Sequence, residues 1–152
     1  MSAAQAYGGG RIVVGVDGSE PSLAALAWAV RQAELTGAAV DAVTAWQIPV
    51  NYGYGYTMTI AVPDLENAAA KISEEAIAEA ASRTPGVEIR SVVVQENAAR
   101  ALLDTAKGAD LLVVGSRGHA GFTEALLGSV SQHCVHHAEC PVVVVRGQHN
   151  AS

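Results

Sequence analysis

Behind the apolar run Asp110-Leu111-Leu112-Val113-Val114 the chain places four glycines and two serines within fifteen residues: Gly115, Ser116, Gly118, Gly121, Gly128 and Ser129. Glycine lets a backbone approach a ligand closely and take positive φ, and successive N–H groups in such a turn form a concave site for anions. Ser129 is placed to cap the helix expected after it. Its hydroxyl, with the N–H groups of the first turn, would then meet phosphate oxygens. The chemistry implied is phosphate binding by backbone dipoles, without cationic side chains. That suits a chain with fifteen acidic and nine basic residues and a formal net charge of -6. Such a chain repels nucleic acid and anionic membrane surfaces, so neither is expected as a partner. Spacing alone describes a plain glycine loop before a helix equally well.

Other reactive side chains are sparser. Asp17 directly follows the apolar run 12–16, where a carboxylate at the end of a central strand is more often functional than a simple approach to a helix. His133, His136 and His137 fall at i, i+3 and i+4 of the last expected helix. With no acidic or cysteine partner at matching spacing, they read as a solvated or interfacial face, and no dedicated metal cage is expected. Cys134 and Cys140 lack CxxC spacing and read as reduced thiols near packed surfaces. His119 sits in the glycine segment. Tyr52, Tyr54 and Tyr56 alternate with glycine in a long loop, and either a lid or a partner-facing surface fits them.

The elements that position these residues are strongly punctuated. At 152 residues and 50% apolar content, one compact domain is expected over 11–146, with residues 1–10 and 147–152 as flexible ends. Residues 12–16 form a β-branched strand. Ser19 is the N-cap of the next helix, which has Pro21 in its first turn, apolar Leu23, Leu26, Ala27 and Val30, and an end near Gly37. A strand over 40–46 leads into the long loop, and an alanine-rich helix runs from Asp64 to the Thr84-Pro85-Gly86 stop. Then follow a strand over 87–94 and a helix over 97–107 with Leu102, Leu103 and Ala106 buried and Gly108 as its C′ residue. A strand over 110–114, a helix reaching about Ala138 and a strand over 141–145 complete the order. Alternation of this kind implies an α/β fold, a single doubly wound, mostly parallel sheet with helices on both faces. The start of the chain has no basic stretch followed by an apolar one, and no apolar run approaches membrane-spanning length, so a cytosolic location is expected.

The spacing Gly115-x2-Gly118-x9-Gly128-Ser129 resembles the nucleotide-binding pattern of the universal stress protein family. Val16-Asp17-Gly18-Ser19, Val113-Val114-Gly115-Ser116-Arg117-Gly118, Leu127-Gly128-Ser129-Val130-Ser131 and Cys140-Pro141-Val142-Val143-Val144-Val145 extend the resemblance over Arg11 to Arg146. The resemblance implies a five-stranded sheet in the order 3-2-1-4-5 and membership of the family's ATP-binding branch. It places Val16 and Asp17 at the adenine and ribose end and offers the backbone of Ala45 to the adenine. It sets Val114, Gly115 and Gly118 beside the ribose and phosphates, with Arg117 at the first phosphate loop. Gly128, Ser129, Val130 and Ser131 then grip the phosphate chain. It also implies a homodimer in which the apolar strand 142–145 pairs with its copy, covering an edge that is hazardous if left open.

There is no Walker A lysine pattern, no GxSxG elbow and no histidine with an obvious relation to a nucleophile. Binding rather than catalysis is therefore expected, and the resemblance implies a stress-associated sensor of ATP, with Mg²⁺ accompanying the triphosphate. Two alternatives remain: a binder of AMP or cyclic AMP, since the pattern does not count phosphates, and a slow ATP hydrolase.

Overall fold

Short β-branched runs build the sheet, and alanine-rich amphipathic segments cover it. The computed structural model describes residues 10–48, 62–117 and 127–147. In chain order the elements are β1 (Arg11–Gly15), α1 (Glu20–Thr36), β2 (Ala39–Trp46), α2 (Val62–Arg83), β3 (Ile89–Gln95), α3 (Ala98–Thr105), β4 (Leu111–Gly115), α4 (Ser129–His137) and β5 (Val142–Val145). The five strands pair in parallel, in the order β3-β2-β1-β4-β5. The doubly wound fold and its strand order are those expected.

Side-chain alternation divides the core into two layers. Ile12, Val14, Val16, Val40, Ala42 and Val113 meet α1 and α2 on one face. Val13, Val43, Leu112 and Val114 meet α3 and the Cys134 side of α4 on the other. β1 and β4 are central and nearly all apolar because both of their faces are covered. β5 is an edge strand, and all four of its valines are half-buried.

Helix termini follow local chemistry. Ser19 caps α1, its side chain accepting from the Ser22 N–H, and Gly37 closes the helix at φ 83. Asn97 caps α3 through its side-chain oxygen, which accepts from the Arg100 N–H at 3.1 Å.

Several details differ from expectation. In α1 the buried stripe is Ala25, Leu26, Ala29, Val30 and Ala33, while Leu23 and Ala27 are exposed. α2 begins at Val62 rather than Asp64. β3 starts at Ile89 rather than 87, because Gly86 at φ 100 still belongs to the turn. α3 is shorter than expected: it ends at Thr105 with Ala106 as C-cap, so Gly108, at φ 79, lies one position beyond C′, and Leu103 is only half-buried. The tyrosines at 52, 54 and 56, His119 and both terminal segments beyond 10–147 lie outside the described residues.

At the amino ends of the strands a polar cluster locks three strands and a helix together. Arg11 Nη1 donates to Asp41 Oδ2 at 3.2 Å and to the Thr105 carbonyl at 2.8 Å, and Nη2 reaches the Lys107 carbonyl at 2.7 Å. Arg90 Nε donates to the other Asp41 oxygen at 2.6 Å. Asp41 is buried, so the two guanidinium groups supply the partners its carboxylate needs out of water, while Arg11 complements the carboxyl end of α3.

Candidate functional site

The chain winds outward from β1 through β2 to β3, then crosses back to β4 and winds the other way to β5. A crevice opens at such a reversal, beyond the carboxyl ends of the two central strands. Here it is a cavity of about 220 Å³. Gly15, Val16 and Asp17 enter it from β1, Val43 and Ala45 from β2, Ala98 and Leu102 from α3, and Ser22 from α1. Val114, Gly115 and Arg117 arrive from β4, and Gly128, Ser129, Val130 and Ser131 from the start of α4.

On the β1 side, the ladder continues as far as the Val16 N–H, which donates to the Val43 carbonyl at 2.8 Å. The chain then leaves the sheet at Asp17 and turns at Gly18, whose φ of 86 favours glycine. Asp17 Oδ1 accepts from the Ser19 N–H at 2.9 Å and from the Ser19 hydroxyl at 2.5 Å. The Asp17 N–H donates to Ser22 Oγ at 3.1 Å, and that hydroxyl donates to the Ser19 carbonyl at 3.1 Å. The cap of α1 therefore also holds the Asp17 carboxylate in place beside the cleft.

On the β4 side, a Cβ at Gly115 would stand 2.8 Å from the Pro21 carbonyl carbon, so only glycine lets α1 start this close to the strand. Ser116 closes the segment that follows. Its N–H donates to the Val145 carbonyl and its carbonyl accepts from the Gly128 N–H, both at 2.8 Å. The Ser131 hydroxyl, buried in the first turn of α4, donates to the Gly115 carbonyl at 2.5 Å.

These contacts correct the expected cap. Gly128, at φ -67 and ψ 163, occupies the N-cap of α4, and Ser129 is the exposed first helical residue. The entry is fixed by the backbone bond from Gly128 to Ser116, and among the described residues no side chain caps the helix. The N–H groups of a first turn have no intrahelical acceptor, so this end of α4 presents its donors and the positive end of its dipole to the cleft. The Ser131 hydroxyl, by contrast, serves the Gly115 carbonyl.

The structure thus gathers Val16, Asp17, Ala45, Val114, Gly115, Arg117, Gly128, Ser129, Val130 and Ser131 around one cavity. Gly118 lies outside the described residues. Sequence reasoning missed Gly15, Ser22, Val43, Ala98 and Leu102. Two signals were present: Val43 shares a strand face with Ala45, and Ala98 and Leu102 are one helical turn apart. Asp17 and Arg117 are the charged side chains among the described lining residues, and the remaining walls are small or apolar. Such walls suit a flat heteroaromatic ring.

The histidines of α4 are exposed, as expected of a solvated face, and Cys134 and Cys140 are free thiols. Burial, and then the nearby Cys140, push the Cys134 thiol up to about 11.

The family model of the universal stress proteins matches residues 9–146. The chain belongs to the universal stress protein family. A universal stress protein of Mycolicibacterium smegmatis is 35% identical over 156 residues, an alignment covering 100% of this chain and 52% of that protein. The chain therefore spans about half the length of this relative. Among solved structures, a universal stress protein in complex with cAMP superposes with a TM-score of 0.68 at 27% identity, covering 93% of this chain and 99% of the other. The universal stress protein from Archaeoglobus fulgidus in complex with dAMP superposes with a TM-score of 0.65 at 25% identity, covering 89% and 96%. Among the described residues, no helix is long and apolar enough to cross a membrane.

Proposed function

We propose that this universal stress protein domain binds an adenine nucleotide, ATP with Mg²⁺, in the cleft between β1 and β4, and acts in the cytosol as a stress-associated regulator rather than a catalyst. The observation that carries this reading is the first turn of α4, which no described side chain caps, aimed into a cavity whose charged side chains are the fixed Asp17 carboxylate and Arg117 and whose remaining walls are small or apolar. In this reading the adenine lies along Val16 and the Ala45 backbone, and Asp17 accepts from a ribose hydroxyl. Val114, Gly115 and Gly118 border the ribose and phosphates with Arg117 at the first phosphate, and the Gly128 segment grips the chain of phosphates, the N–H groups of Ser129, Val130 and Ser131 facing them and the side-chain-free Gly128 leaving them room. Mg²⁺ travels with the phosphate oxygens, and the protein need not supply a cage for it. The domain pairs with a second copy through Val142–Val145.

A second reading, a smaller adenine nucleotide such as AMP or cyclic AMP, is favoured by the ligands of the two solved relatives, cAMP and dAMP. Competition separates the two. With ATP bound to the stripped protein, excess cyclic AMP leaves ATP in place on the first reading and displaces it on the second. Phosphate release at the buffer level is expected throughout, and release above it would make the protein a hydrolase. Light scattering at micromolar concentration should return the mass of a dimer.

A further inference from the structure

The exposed face of α4 carries a second arrangement that the cleft does not use. His133 and His137 stand one helical turn apart with ring centres separated by 5.2 Å and planes inclined by 40°. His136 lies 6.4 Å from His137, edge-on. Imidazoles at i and i+4 of a helix can close on one metal ion. A metal–nitrogen bond of about 2.0–2.1 Å puts each ring centre about 3.2 Å from the ion, and a tetrahedral angle then separates the two centres by about 5.2 Å. The observed separation matches tetrahedral chelation, the geometry of Zn²⁺. Rotation about χ2, which is soft for histidine, then turns a nitrogen of each ring toward the ion.

We propose that His133 and His137 form a two-histidine site for a borderline divalent transition metal of the Zn²⁺, Ni²⁺ and Cu²⁺ class. Imidazole suits these ions, whereas Mg²⁺ and Ca²⁺ take oxygen ligands. Among the described residues no group of three or more His, Cys, Asp and Glu side chains gathers to hold a metal. The pair therefore supplies two ligands, and water fills the remaining positions on this exposed face. His136, at 6.4 Å from His137, stands beyond the chelating separation and is not assigned as a ligand. The ion clasps the last turns of the helix whose first turn lines the cleft, and the site stands whether or not the cleft takes a nucleotide.

Calorimetric titration of the nucleotide-stripped full chain with Ni²⁺ and with Zn²⁺ tests this. One ion should bind per chain. His133→Gln and His137→Gln should each weaken binding by about a hundredfold, the loss expected when a second, intramolecular ligand is removed. His136→Gln and Cys140→Ala should leave affinity within about twofold of the parent, since neither removes a chelating ligand. Unchanged far-UV circular dichroism shows that each variant is folded. Absence of saturable binding by the parent chain overturns the site. So do parent-like affinity in the His133 or the His137 variant, an equal loss in His136→Gln, and a loss confined to Cys140→Ala.

Discussion

The Ser131 hydroxyl donates to the Gly115 carbonyl at 2.5 Å, joining the first turn of α4 to the end of β4 across 16 residues of sequence. Both ends of the glycine-rich segment are thereby fixed, with Ser116 and Gly128 bonded to each other beside them. Ser131→Ala leaves the Gly115 carbonyl without that donor and should cost about 1–3 kcal/mol in urea unfolding. It should also weaken nucleotide binding, because the N–H groups of the turn lose their fixed aim. Unchanged stability would mean that water replaces the hydroxyl without loss.

Gly128→Val should abolish nucleotide binding with the fold retained. Its extended φ and ψ suit any residue, so the cost falls on the space for the phosphates. Gly115→Val differs, since its Cβ would strike the Pro21 backbone. Overpacking of about 1–3 kcal/mol is expected from thermal or urea melts. Equal stability of the two variants would contradict the close approach of α1 to β4.

Asp17→Ala should weaken nucleotide binding without unfolding the domain, with the readouts separated by calorimetry and melting. The Ser19 and Ser22 hydroxyls that bond around Asp17 also bond each other's backbone groups, so the cap of α1 survives. Asp41→Asn tests the opposite end of the sheet. Breaking its ion pairs to Arg11 and Arg90 should cost about 1–3 kcal/mol, with nucleotide affinity unaffected. Loss of affinity there would mean that the amino ends of the strands govern the cleft.

The Cys134 thiol, raised from 9.0 to about 11, gives a pH signature. Between these values the unfolded thiol loses its proton and the folded one keeps it. Its contribution to folding stability is therefore unaffected below pH 9 and becomes unfavourable as pH rises toward 11, at up to about 1.4 kcal/mol per unit. Cys134→Ala should flatten most of that slope in urea melts at pH 8.5 to 10.5. A parent slope retained in the variant would assign it to other groups.

Much of this architecture was legible because strands buried on both faces are short β-branched runs, and serine, proline, asparagine and glycine mark the helix ends. Alternation predicts a parallel sheet, but its strand order came from family resemblance. The face of α1 was unclear because Leu23 through Val30 is apolar nearly all round. The N-cap of α4 was assigned to Ser129 because a hydroxyl there is the usual local signal. Gly128 instead holds that position with its N–H donating to the Ser116 carbonyl, a partner twelve residues back that sequence proximity does not reveal. Asp41 gave no sign within its own strand of the two arginines that satisfy it, since both come from neighbouring strands.

The central claim is that the cleft holds an adenine nucleotide against the first turn of α4. Calorimetric titration of the stripped protein with ATP, with and without Mg²⁺, alongside Gly128→Val, tests it most directly. The account predicts saturable binding of one ATP per chain by the parent and none by the variant. No binding by the parent, or equal affinity in both proteins, would contradict it.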